Sequence, residues 1–126
     1  MGNPVTQFQI ISKAPEETAR FYGALFGWNI DANNPMGYRR IETGSPQGIQ
    51  GGIWPAPPQA PNFVQLFVTV EDVAGSTQRA VELGAKVLIP PTTLPEGDTM
   101  AVLHDPEGMP FALWTNPADL GSRARK

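Results

Sequence analysis

Ser45-Pro46-Gln47-Gly48-Ile49-Gln50-Gly51-Gly52-Ile53-Trp54 and Asp105-Pro106-Glu107-Gly108-Met109-Pro110-Phe111-Ala112-Leu113-Trp114 are two copies of one pattern. Each is a proline-glycine turn followed by a strand that ends in tryptophan. Pro46, Gly48 and Trp54 become Pro106, Gly108 and Trp114 by adding 60. Proline suits the second position of a type I turn, with Ser or Asp before it. Glycine then lets the chain enter the strand. Two such stretches at one offset, with other elements in the same order around them, indicate a duplicated unit.

Upstream of the first copy, Val5 to Ser12 alternates, with Phe8 and Ile10 on one face and Gln7 and Gln9 on the other, as a strand does. Pro15 opens a helix where its missing N–H costs nothing, and Glu16 and Glu17 suit the positive end of the helix dipole. Ala19, Tyr22, Leu25 and Phe26 recur at helical spacing as a stripe to press onto a sheet, and Gly27 closes the helix. Short strands are expected at Trp28 to Asp31 and Tyr38 to Thr43, around the turn-rich Asn33-Asn34-Pro35-Met36-Gly37. Pro55-Ala56-Pro57-Pro58-Gln59-Ala60-Pro61 reads as a stiff, extended linker.

The second half repeats the order. Phe63 to Val70 alternates, Asp72 is an N-cap, Val73 to Leu83 is helical, and Gly84 ends it. Lys86 to Ile89 is a strand stopped by Pro90-Pro91, and Thr99 to His104 is the next. The first strands match best at an offset of 58, which aligns Gln7 with Gln65. The expected organisation is module one over 4–54, a linker over 55–61, module two over 62–116, and a fraying tail over 117–126. One domain is expected, because halves of about 60 residues are marginal alone.

Composition narrows the function. Net charge is −3 with no basic stripe, which argues against nucleic acid. The only basic cluster, Arg123, Arg125 and Lys126, reads as a solvated tail. Without cysteine there is no disulfide framework, thiolate site or cysteine nucleophile. No apolar run reaches membrane-spanning length and no signal peptide is evident, so a cytoplasmic location away from membranes is expected.

In each first strand the apolar face (Phe8 and Ile10; Val64, Leu66, Val68 and Val70) is expected against its helix. The opposite faces carry Gln7, Gln9, Gln65 and Phe67, joined from the last strands by Gln50, Gly52, Trp54, Pro110, Ala112 and Trp114. Aromatics, amides and small residues in this mixture suit a cleft for a small organic molecule. The alternative is that aromatics fill the space and the glutamines satisfy one another. His104, the only histidine, reads as a surface residue at a hairpin end. Glu42 and Arg39 or Arg40 lie on one strand and line either the cleft or the outside, the outside being the favoured reading, and Tyr38 and Met100 are expected at a cleft rim. No catalytic group can be assigned.

Two strand-helix-three-strand modules, the helix end Arg20-Phe21-Tyr22-Gly23-Ala24-Leu25-Phe26-Gly27-Trp28, and Asp105-Pro106-Glu107-Gly108 before the last strand resemble the vicinal oxygen chelate superfamily. Glyoxalase I, extradiol dioxygenases and bleomycin-resistance proteins belong to it. The resemblance covers about residues 4 to 116. It implies an α+β fold in which two tandem βαβββ modules build a curved mixed sheet around a cleft. The family's metal enzymes hold a divalent cation with His and Glu from the first and last strand of each module. Those positions fall here on Gln7, Gly52, Gln65 and Ala112, so the resemblance implies that metal and cofactor are both absent. Gln7 and Gln65 are expected to meet in the hollow.

The expected function is metal-free binding of a partly aromatic small molecule by Gln7, Gln9, Gln50, Trp54, Gln65, Phe67 and Trp114, in a homodimer such as bleomycin-resistance proteins form. The alternative is a lyase, isomerase or dioxygenase related to glyoxalase I.

Overall fold

The computed structural model describes residues 2–33, 37–95 and 97–115. The expected tail, its basic cluster, and the Asn34-Pro35-Met36 part of the turn-rich loop lie outside these. Eight strands and two helices follow one another as β1 (Val5–Ser12), α1 (Pro15–Phe26), β2 (Asn29–Asp31), β3 (Arg39–Glu42), β4 (Gln50–Pro55), β5 (Phe63–Thr69), α2 (Val73–Glu82), β6 (Lys86–Thr93), β7 (Thr99–His104) and β8 (Pro110–Thr115). The order strand, helix, three strands occurs twice, in an α+β fold of mixed sheet. The chain divides into two compact units. One spans Thr6–Gln65. The other joins the described residues before it to those after it.

In the unit over Thr6–Gln65 the strand order is β2-β3-β4-β1. β1 runs parallel to β4, while β3 is antiparallel to both β2 and β4. Register separates the two faces. Phe8 pairs with Gly51 and Ile10 with Ile53, on the α1 side; Gln7 pairs with Gln50, Gln9 with Gly52 and Ile11 with Trp54, on the other. Ile41 and Ile53 are fully buried on the α1 side. Each contributes about 1.5–3 kcal/mol by leaving water. Pro15 occupies the first turn of α1, Glu16 and Glu17 follow, and Gly27 takes the left-handed conformation (φ 71°) that closes it. Yet α1 buries none of its residues, and Leu25 and Phe26 stay 59% and 55% exposed. The expected stripe is therefore only partly pressed onto the sheet. Tyr22 and Phe26 pack on Trp28 rather than on the strands, with ring centroids 5.7 and 5.1 Å away.

The linker is not fully extended. Pro55 completes β4, Ala56 N–H donates to the Ser12 carbonyl, and Ala60 N–H donates to the Pro57 carbonyl, closing a turn.

In the second unit the order is β5-β8-β7-β6, with β5 parallel to β8. Asp72 caps α2 by accepting from Gly75 N–H at 3.0 Å. Val70, Val73, Ala101, Leu103 and Leu113 form the core beneath α2. The apolar face of β5 departs from expectation. Val64 and Leu66 are 62% and 56% exposed, while Gln65, Phe67 and Thr69 on the other face are buried. α2 begins at Val73, so only the end of β5 nearest it, at Val68 and Val70, joins that core. β6 also runs on through Pro90 and Pro91 to Thr93. It is the outer strand of its unit and shifts register twice against β7, and an edge strand with bulges tolerates proline's missing N–H. The second proline-glycine turn closes as expected: Gly108 N–H donates to the Asp105 carbonyl, and Asp105 Oδ1 accepts from Glu107 and Met109 N–H.

Candidate functional site

Gly51 and Gly52 stand side by side in the middle of β4. A glycine inside a strand marks a place where something approaches the backbone closely. Here two rings do so, one on each face. A Cβ at Gly51 would lie 2.5 Å from the Phe8 ring, and one at Gly52 would collide with the Cε1, Cζ and Oη atoms of Tyr38. Tyr38 thus lies over Gly52, on the face opposite α1, with its ring centroid 4.5 Å from that of Trp54. Burial pushes the Tyr38 phenol above its ordinary value, and the nearby Arg40 guanidinium pulls the other way. The phenol is neutral at physiological pH.

A cavity of about 490 Å³ opens beside Tyr38, lined among others by Gln7, Arg40, Glu42 and Gln50. The strands set these positions. Gln7 pairs with Gln50, and Arg40 pairs with Gly52. Arg40 and Glu42 therefore lie on the Tyr38 face and line the cavity, the alternative to the favoured outside. Arg39, one residue away, turns to the other face, 3.8 Å from Glu16 of α1. Gln50 is held by its carbonyl: Oε1 accepts from Thr43 N–H at 2.6 Å, which leaves its amide hydrogens directed elsewhere.

The remaining expected residues fall into two further groups. Gln65 Nε2 donates to Gln9 Oε1 at 3.0 Å, and both glutamines are buried. So Gln9, not Gln7, is the hydrogen-bond partner of Gln65. The aligned pair is displaced by two residues along β1, which keeps the same face. Two buried groups here have no hydrogen-bond partner among the described residues: the acceptor Gln65 Oε1 and the donor Trp54 Nε1. In the other unit, Phe67 packs with Val102 and Ala112 and has its ring 5.5 Å from that of Trp114, whose Nε1 donates to Asp98 Oδ2. His104 ends β7 opposite Lys86 and Pro110.

Residue reading alone left Arg40 open between cleft and outside, and it did not place Tyr38 over Gly52. The Gly51-Gly52 pair was the available signal, since two small residues in a strand leave room for rings.

The four positions that the resemblance assigns to a cation can be tested against this geometry. Gln65 gives its amide N–H to Gln9 and keeps only a neutral carbonyl oxygen, Gly52 lies beneath the Tyr38 ring, and Ala112 is buried without a donor. Gln7 is a neutral amide. Among the described residues no three His, Cys, Asp or Glu side chains cluster. An amide carbonyl can ligate a hard divalent cation but brings no charge, and with no carboxylate, imidazole or thiolate beside it these residues do not fit one.

Relatives place the chain. It is 25% identical over 108 residues to CFP32 of Mycobacterium bovis and of Mycobacterium tuberculosis, proteins named as glyoxylases; the match takes in 83% of this chain and 41% of theirs. The chain thus spans about two fifths of the length of these curated relatives. Among solved structures, a hypothetical protein from Bacillus halodurans superposes with a TM-score of 0.65 at 14% identity, over 92% of this chain and 96% of that one. An NAD-dependent benzaldehyde dehydrogenase from Legionella pneumophila gives 0.63 at 18%, over 86% and 96%. A Streptomyces coelicolor methylmalonyl-CoA epimerase gives 0.58 at 19%, over 91% and 95%. At these identities the likeness is one of fold. Residues 7–114 match the family model for the glyoxalase-like domain. The chain belongs to that family, within the vicinal oxygen chelate superfamily.

Proposed function

We propose that this chain binds a small, partly aromatic organic molecule without the help of a metal. The observation that carries this reading is Tyr38, lying over Gly52 and against Trp54 beside an open cavity. An aromatic wall stands where the family's cation ligand would project. Binding rests on stacking and apolar burial, with orientation from the amides of Gln7 and Gln50. Gln9 and Gln65 join the ligand-facing set of this unit in this reading, and Phe67 and Trp114 are a separate aromatic pair of the other unit. Sequestration, as by bleomycin-resistance proteins, is the form that needs no catalytic group. A cytoplasmic homodimer is part of the same proposal. Self-association is supported by the apolar side chains left exposed at Phe21, Leu25, Val64 and Leu66.

Titration calorimetry and tryptophan fluorescence against a panel of aromatic compounds test it. A saturable response that weakens in Tyr38→Ala and Trp54→Ala is expected. A wild-type protein silent to the whole panel overturns it.

The rival reading is an enzyme of lyase or isomerase type, favoured by the relatives named as glyoxylases. It requires acid-base groups, and Tyr38 and Glu42 are those at the cavity. Turnover of 2-oxoaldehyde adducts that is abolished in Glu42→Gln would support it. Metal that survives dialysis in stoichiometric amount would overturn the metal-free reading.

A further inference from the structure

The cavity beside Tyr38 has an uneven chemistry. Its lining includes one cation, Arg40, and one anion, Glu42. The two face each other weakly, Arg40 Nε to Glu42 Oε1 at 3.6 Å, with both side chains more than half exposed. Such an exposed ion pair contributes little. It occupies the Nε edge of the guanidinium and leaves the two terminal Nη groups, which form the fork that suits a carboxylate. Gln50, its carbonyl bonded to Thr43 N–H, is held in an orientation that leaves its N–H donors to offer. Ile41 pairs with Gly51 and Arg40 with Gly52, so Glu42 continues the ladder opposite Gln50. Arg40 is then the diagonal neighbour of Gln50 on the same face, within reach for long side chains. Gln7 stands directly beside Gln50. Donors from three adjacent strands therefore converge next to a neutral aromatic wall.

We infer that the ligand of this cavity is an aromatic carboxylic acid, its carboxylate held by the Arg40 fork and the Gln50 amide and its ring laid against Tyr38. The inference rests on the small-molecule reading above and adds the ligand's charge to it. Glu42 has two effects. It orients the guanidinium from the Nε side, and its own charge opposes the incoming anion, so affinity is held below what Arg40 alone would give.

Isothermal titration with 2-naphthoate and with 2-naphthamide tests this on the whole chain, since the two share a ring and differ in charge. Naphthoate should bind at least about tenfold more tightly. Its affinity should fall with added salt, while that of the amide should not. Arg40→Gln should erase the preference and Arg40→Lys should retain part of it. Glu42→Gln should tighten naphthoate several-fold, and an unchanged melting temperature shows that each variant is folded. Equal affinity for acid and amide, or a preference that persists in Arg40→Gln, overturns the carboxylate assignment and leaves aromatic binding intact. Binding of neither probe by folded protein overturns both.

Discussion

Gly52, a position that the resemblance assigns to a cation ligand, carries only a hydrogen, and the Tyr38 ring uses that space. Any side chain there must push the ring off Trp54. Gly52→Ala should therefore cost about 1–3 kcal/mol of stability, the usual cost of overpacking. In a Tyr38→Ala background most of that cost should vanish, which a double-mutant cycle in urea would read directly. Tyr38 also sets a pH limit. Its folded pKa is raised above the unfolded value of about 10, so the neutral phenol's contribution is complete below that pH. As pH rises further, the unfolded state sheds the proton first and stability declines. Denaturant midpoints should fall as the pH rises above about 10 in the wild type and much less in Tyr38→Phe. The Gln9–Gln65 pair behaves differently. Gln9→Leu leaves the buried Gln65 amide without its acceptor and should cost about 1–3 kcal/mol, whereas replacing both by Leu should cost less than the two single changes summed.

The elements follow local chemistry closely. Pro15 and Gly27 bound α1, and Asp72 caps α2. Asp72→Ala should lower stability by about 1 kcal/mol through the lost bond to Gly75 N–H, measurable as a shift in melting temperature. The edge position of β6 explains why two prolines did not end it: a strand paired on one side has free positions for residues that cannot donate. That one-sidedness is a property of the sheet and leaves no mark in Lys86 to Thr93. α1 has the same lesson in reverse. Its periodicity correctly announces a helix, but Leu25 and Phe26 remain largely exposed because periodicity states which residues share a face, not what covers it.

At the scale of the whole molecule, the chain is a glyoxalase-like domain that spans about two fifths of its curated relatives. If the metal-free reading holds, exhaustive dialysis against EDTA should leave the melting temperature unchanged, and added zinc or manganese should produce no saturable rise. A bound ion at a hundredfold excess over its Kd would instead add about 2.7 kcal/mol. The duplicated order, the turn before β8, the helix caps and the family were all legible in the residues, because each depends on contacts a few positions apart or on a repeated spacing. The face on which Gln7, Gln9 and Gln50 lie was legible too, since alternation along a strand is local. Which glutamine answers Gln65, which face of β5 is covered, and that Arg40 points into the cavity while Arg39 reaches α1 depended on register between strands far apart in sequence. Register is settled only when the sheet closes and each pair of strands finds the offset that buries Ile41 and Ile53 together.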